Sequence, residues 1–300
     1  MSVTVRVPAK VNVQLAVGPA RPDGFHDLAN VFLAVSLHDE VTATRAESLR
    51  VTCEGPDADQ VPLDRTNLAA RAAELLAARY GISPDVHLHI AKDIPVAGGM
   101  AGGSAAGAAA LLACDALWGT GASRAELLAI CAELGSDVPF SLVGGAALGT
   151  GRGEHLTEIP PGGTFHWVFA VADGGLSTPA VYAEFDRLTP DARTPAASAV
   201  LLDALRAGDT TALAGALAND LQPAGGGAGT PSTSDEASAS TTAALRNVMP
   251  PPPVDGVMMA CRTRRGNDEW ANRPNAVTRP GERRVPGRRS RRVRVTRRTA

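Results

Sequence analysis

Three hundred residues leave room for one large domain or two of medium size. Hydrophobic residues make up 44% of the chain and aromatic ones only 4%, so a sizeable core can form, filled by Ala, Val and Leu rather than by rings. The formal charge of −2 conceals a split: from Ala260 onward there are 14 Arg, no Lys and 3 acids, leaving 15 basic and 28 acidic residues before it. The chain therefore reads as an acidic body followed by a basic tail. No apolar run approaches the length of a membrane helix, so no membrane partner is expected. The N-terminal MSVTVRVPAKVNVQLAV alternates apolar and polar residues instead of carrying an unbroken apolar stretch, which argues against a secretory signal. Cys53, Cys114, Cys131 and Cys261 form no CxxC pair and no metal-ligand spacing. They read as reduced thiols of a cytoplasmic protein, with no protein-built metal centre.

Taken in order, residues 2–17 alternate as a strand, with Val3, Val5, Val7, Val11, Val13, Leu15 and Val17 as its apolar positions. Gly18 to Gly24 carries turn chemistry in Pro19, Pro22 and Asp23-Gly24. Residues 31–37 and 40–44 read as two further strands. Thr66-Asn67 opens an Ala/Leu-rich helix that Gly81 stops. Residues 85–91 alternate again and put His87 and His89 on one strand face. A polar outer face is the ordinary explanation, since no third metal ligand is evident. Lys92 to Gly119 reads as a strand end, a Gly-rich loop and a long helix. Ser123 and Glu126 form a capping box for a helix to about Leu134. Gly135 to Pro139 breaks that helix, residues 141–150 read as a Gly-rich strand or turn, and residues 165–172 as a strand. Residues 198–207 and 211–221 read as helices.

The loop from Pro95 through Val96, Ala97, Gly98, Gly99, Met100, Ala101, Gly102 and Gly103 to Ser104 and Ala105 is the most informative segment. Glycines let the backbone approach a ligand closely. The first-turn N–H groups of the helix that follows have no partners within it and lie at the positive end of its dipole. That combination suits phosphate. The string is neither a Walker A loop, because Ser104 follows Gly103 where Lys would stand, nor G-x-G-x-x-G. Lys10 is one of only two lysines, and Asp137 stands in GSDVPF between a helix end and a Gly-rich segment. Taken alone, each fits a plain role, a strand lysine and a turn or N-cap aspartate.

PVAGGMAGGSAA resembles the loop that wraps the ATP triphosphate in the GHMP kinases, with Ala106 where that family often has Asp. PAKVNVQLAV resembles the segment that opens these enzymes and carries Lys10, and GSDVPF resembles the segment carrying their catalytic Asp, here Asp137. The resemblance implies ATP with Mg²⁺, and an α+β two-domain GHMP kinase fold. Its parts are a ribosomal protein S5 domain 2-like N-terminal domain and a ferredoxin-like C-terminal domain, incomplete here. Arg21-Pro22-Asp23-Gly24-Phe25-His26-Asp27-Leu28 and Leu176-Ser177-Thr178-Pro179-Ala180-Val181-Tyr182 are similar to segments of the 4-diphosphocytidyl-2-C-methyl-D-erythritol kinase family. Carried over, Phe25 and Tyr182 would stack on cytosine and His26 would read its edge. Thr178, Lys92 and Asn12 would lie at the acceptor, a small cytidine diphosphate-linked methylerythritol. Another GHMP kinase, such as a homoserine kinase, is the rival reading.

The resemblance covers about residues 3–222, which divides the chain into 1–155 (ATP-binding domain), 156–224 (partial second domain) and 225–300 (tail). No third family motif follows Asp220-Leu221; GGGAGT at 225–230 is the nearest string. The Pro- and Arg-rich end lacks apolar periodicity and is expected to be disordered. Two explanations stay open: a shifted reading frame in a GC-rich gene, or a basic tail that binds nucleic acid on an inactive kinase-like body.

Overall fold

The computed structural model describes residues 1–96, 98–169 and 177–227, together with two short strands at 258–260 and 277–278. The elements in chain order are β1 (Ser2–Ala20), β2 (His26–Arg45), β3 (Arg50–Glu54), α1 (Leu68–Tyr80) and β4 (Val86–Ala91). Next come α2 (Gly102–Trp118), α3 (Arg124–Leu134), α4 (Val138–Val143), β5 (Ala146–Thr150), β6 (His155–Glu158) and β7 (His166–Val168). The chain continues with α5 (Thr178–Leu188), α6 (Ala199–Ala207), α7 (Thr210–Ala216), β8 (Ala218–Asn219) and α8 (Gln222–Gly227), then β9 (Met258–Ala260) and β10 (Val277–Thr278). The rest of the tail expected at 225–300 lies outside the described residues.

β1 and β2 form a long antiparallel pair at the centre of a mixed sheet. β4 and then β3 extend it, β5 and β6 continue it elsewhere along β2, and β8 joins β1 in parallel. The apolar alternation of β1 does its expected work: Val3, Val5, Val7, Ala9, Val11 and Val13 are all buried. They meet the Ala-rich faces of α1 and α2, whose small side chains let the helices lie close to each other and to the sheet. Asn67 caps α1 by accepting from the Ala69 amide, and Gly81 ends it at φ 63°. Ser123 and Glu126 make the expected capping box. His87 and His89 sit on the outer face, each bonded to the hydroxyl of Thr52 at 2.8 and 2.9 Å.

Several elements differ from expectation. The strands expected at 31–37 and 40–44 are one strand, β2. Its register moves from Pro8↔His38 to Ala9↔Val35, so Ser36 and Leu37 are absorbed as a bulge rather than a turn. The bulge falls where Pro8 has no N–H to give the ladder. Pro139 lies in the first turn of α4, a position that tolerates proline, so the break signal is also a helix start and residues 141–143 are helical. The strand expected at 165–172 spans His166–Val168, and residues 170–172 lie outside the described set. The helix expected at 211–221 ends at Ala216, because Ala218 and Asn219 pair with Gln14 and Leu15 of β1. Sequence reasoning assigned no helix to α5 or α8. Both pack on a second apolar cluster, where Val181, Phe185, Leu221 and Ala224 meet Leu15 and Val17. Packing, not propensity, makes the Gly-rich α8 helical.

Candidate active site

The glycine loop leaves β4 and enters α2 through an unusual backbone. Gly99 has φ 66°, and Ala101, the N-cap of α2, also adopts a left-handed conformation at φ 61°. A non-glycine residue in that region costs about 1–3 kcal/mol and persists only where its surroundings enforce it. No side chain caps α2. The amides of Gly102, Gly103 and Ser104 are therefore left for a ligand at the positive end of a 17-residue helix. Gly102 is required by close approach: a Cβ there would lie 2.7 Å from Lys92 Nζ and 3.2 Å from Ile94 Cγ2. Pro95, Val96 and Gly98 to Ser104 line one cavity of about 980 Å³. Ala97 lies outside the described residues, and Ala105, expected to bind nucleotide, is fully buried in the core beneath the loop.

Lys10 projects from β1 into this cavity and is 93% buried, with 7% of its surface exposed. Its Nζ lies 3.3 Å from Asp137 Oδ2, donates to Asn12 Oδ1 at 2.7 Å, and donates to the Gly99 carbonyl at 3.1 Å. Three anchors from three segments fix an otherwise flexible side chain. Asp137 stands at the N-terminus of α4, yet its carboxylate caps nothing and turns instead to Lys10. Both residues thus leave the plainer roles open to them in the sequence. Beneath them Phe32 and Phe140 stack at 4.8 Å, joining β2 to α4.

Lys92, expected at the acceptor, lines the same cavity, and its ammonium is held in an ion pair. Nζ donates to Asp39 Oδ2 at 2.7 Å, and Asp39 is fully buried. Asp39 Oδ1 also accepts from the amides of Asp93 and Ile94 at 2.9 and 2.8 Å. This charge pair ties β2 to the approach of the loop and sits directly behind Gly102. Asp39 carried no motif, and nothing in the sequence near it signalled this role.

At the other end of the cavity lie Phe25, His26, Thr178 and Tyr182. Phe25 is 47% exposed, and the Arg152 guanidinium lies 4.9 Å from its ring centre. His26 is nearly buried, tilts against Tyr182 at 4.9 Å, and its Nε2 lies 2.8 Å from Asp186 Oδ1. Burial first, and the charge of Asp137 second, push the Tyr182 phenol up to about 12. Tyr182 is thus a neutral aromatic face at any physiological pH. Sequence reasoning missed Arg152 and Asp186. Asp186 stands four residues after Tyr182, one helical turn along α5, which is the only signal that could have found it. Among the described residues no group of three or more His, Cys, Asp or Glu side chains could hold a metal, and no helix is long and apolar enough to cross a membrane.

Comparison with known proteins places this arrangement. The GHMP kinases N terminal domain matches residues 67–145. A 4-diphosphocytidyl-2-C-methyl-D-erythritol kinase of Streptomyces avermitilis is 80% identical over 226 residues, which are 75% of this chain and 76% of that protein. The chain belongs to the 4-diphosphocytidyl-2-C-methyl-D-erythritol kinase family. A more distant member, from Thermobifida fusca, is 60% identical over 74% of this chain and 75% of its own. A crystal structure of a 4-(cytidine 5'-diphospho)-2C-methyl-D-erythritol kinase superposes with TM-score 0.54 at 33% identity, covering 68% of this chain and 72% of the other. The homoserine kinase of Cytophaga hutchinsonii shares the fold, with TM-score 0.52 at 18% identity over 76% of this chain and 75% of its own. The α+β GHMP kinase fold expected from the motifs is therefore the fold of this 4-diphosphocytidyl-2-C-methyl-D-erythritol kinase family member. The homoserine kinase alternative is not favoured.

Proposed function

We propose that the chain moves the γ-phosphoryl group of ATP to the 2-hydroxyl of 4-diphosphocytidyl-2-C-methyl-D-erythritol, a step of the non-mevalonate route to isoprenoid precursors, in the cytoplasm. The observation that carries this reading is the 3.3 Å contact between Lys10 and Asp137 beside an uncapped, glycine-lined helix start, in a chain 80% identical to a kinase of that name. On this reading residues 1–155 form the ATP-binding domain and 156–224 a partial second domain.

The amides of Gly102, Gly103 and Ser104 hold the phosphates of the nucleotide without charged side chains of their own. Lys10 sets its ammonium against the negative charge that develops on the transferred group. Asp137 accepts the proton of the acceptor hydroxyl as that oxygen bonds to phosphorus, while the bridging bond breaks and its electron pair leaves with ADP. A positioned base of this kind is worth about 10²–10⁴ in rate. Phe25 and Tyr182 offer faces to the cytosine ring, and His26, oriented by Asp186, offers a polar edge. Among the described residues Asp137 stands beside the phosphate loop without two further metal-ligating side chains, too few ligands for a protein-built cage. Mg²⁺ would therefore be held mainly by the nucleotide's own oxygens and would supply charge neutralisation there.

The test is ADP release from ATP, measured with and without the cytidine-linked acceptor. Release that depends on this acceptor is expected. Release that ignores it, or that responds to homoserine instead, would overturn the assignment.

A further inference from the structure

β1 and β2 carry three polar side chains into the cavity in one connected row. Lys10 Nζ donates to Asn12 Oδ1, and Asn12 Nδ2 donates to Asn30 Oδ1, each at 2.7 Å. The direction of this row is not a free choice. An ammonium has hydrogens and no lone pair, so Asn12 must turn its oxygen toward Lys10. Its amino group then faces Asn30, and Asn30 must in turn present its oxygen. The Asn30 amino group, with two hydrogens, is left at the open end of the row. Asn30 is only 3% exposed, lines the cavity, and its Nδ2 has no hydrogen-bond partner among the described residues. That amino group is not sealed from water but opens onto the cavity, so it is a fixed donor in the cavity wall where a ligand oxygen can take the place of water.

Its place along β2 says which part of a ligand that atom belongs to. Asn30 follows His26 by four residues on the same strand and is linked through Asn12 to Lys10. It stands between the base-reading end and the reacting end. We infer that Asn30 is a specificity-determining residue: its Nδ2 donates to an oxygen in the segment of the acceptor that joins the cytidine to the reacting hydroxyl. The same row positions Lys10, so engagement of the acceptor and placement of the ammonium are coupled. This rests on the proposed function and adds to it a contact that neither Lys10 nor His26 makes.

Calorimetric binding tests it without requiring turnover. The probes are the full cytidine-linked acceptor, cytidine alone, and a non-hydrolysable ATP analogue. Asn30→Asp keeps the size and still accepts from Asn12 but offers no hydrogen, and Asn30→Val removes both functions. Both are expected to lose tenfold or more in affinity for the full acceptor, with cytidine and the ATP analogue unchanged. Asn30→Ser, whose hydroxyl both accepts and donates, is expected to stay within about threefold of the unaltered chain, since one donor to a ligand oxygen decides the loss. If Asn30→Val fails to fold, Asn30→Asp against Asn30→Ser carries the comparison. Unaltered acceptor binding in Asn30→Asp, or equal losses for cytidine and for the full acceptor, would overturn the inference and leave the proposed function standing. Failure of the unaltered chain to bind the acceptor would overturn both.

Discussion

The two ends of the cavity are built on different plans. At the proposed phosphate end the cavity wall is backbone: uncapped amides of α2, a glycine at positive φ, and a buried Lys92–Asp39 pair behind them. At the proposed acceptor end the wall is side chains carried by separate segments, with Phe25 half exposed, Arg152 over it, and His26 and Tyr182 packed between β2 and α5. The contrast teaches where each kind of recognition resides. A phosphate is bound by any correctly shaped backbone, so that end tolerates changes of side chain but not of conformation. A base has to be distinguished from other bases, which requires particular side chains, so the acceptor end tolerates changes of backbone better than changes of residue.

Substitutions can break or sharpen this contrast. The largest effect is expected where the ends meet. Asp137→Asn should cut turnover by about 10²–10⁴ while nucleotide affinity, measured by calorimetry, is unchanged, because the backbone amides are untouched. Unchanged turnover would remove Asp137 from the chemistry. Next, Asp39→Ala leaves a buried ammonium and two amides unpaired. A loss of about 3–5 kcal/mol in urea unfolding is expected, with ATP binding weakened more than acceptor binding. Equal weakening of both would deny that the pair serves the phosphate end. Tyr182→Ala should lose about 1–3 kcal/mol of acceptor affinity and no nucleotide affinity.

The smallest effect is one of pH. Burial, followed by the charge of Arg6, holds the His38 pKa below the ordinary histidine value. Unfolded His38 takes up a proton below about pH 6.5, whereas the folded residue does so only at lower pH. The unfolded state binds more protons in that window, so stability falls as pH drops from about 6.5 toward the folded value. His87, lowered by burial and by Arg50, adds the same sign. His38→Asn should flatten part of this decline in thermal melts. A variant that melts with the unaltered pH dependence would show that His38 is not its source.

Legibility in the sequence followed the range of the interactions involved. Asn67, Gly81 and the Ser123–Glu126 box were readable because a cap is decided within four residues. The glycine-rich turn from β4 into α2 was readable because a backbone that takes positive φ leaves its mark in consecutive residues. Long-range decisions were not. The bulge that makes β2 one strand depends on Pro8 across the ladder. The early end of α7 depends on β8 pairing with β1. Arg152 at Phe25, Asp186 at His26 and Asp39 at Lys92 are partners 127, 160 and 53 residues apart, and no local pattern joins them.

By itself, then, the sequence determined the apolar alternation of β1, helices α1 and α3 with their caps, the glycine-rich turn into α2, and, through the motifs around them, Lys10 and Asp137 as candidates. Only the tertiary structure decided that Lys10 is held by Asn12, Gly99 and Asp137 at once, that Lys92 is committed to Asp39, and that Asn30 ends a directed row of hydrogen bonds. The physical reason is that hydrogen bonds and ion pairs are short-ranged and directional. Which groups they join is fixed by how strands and helices bring distant segments together, and that geometry is absent from the order of residues alone.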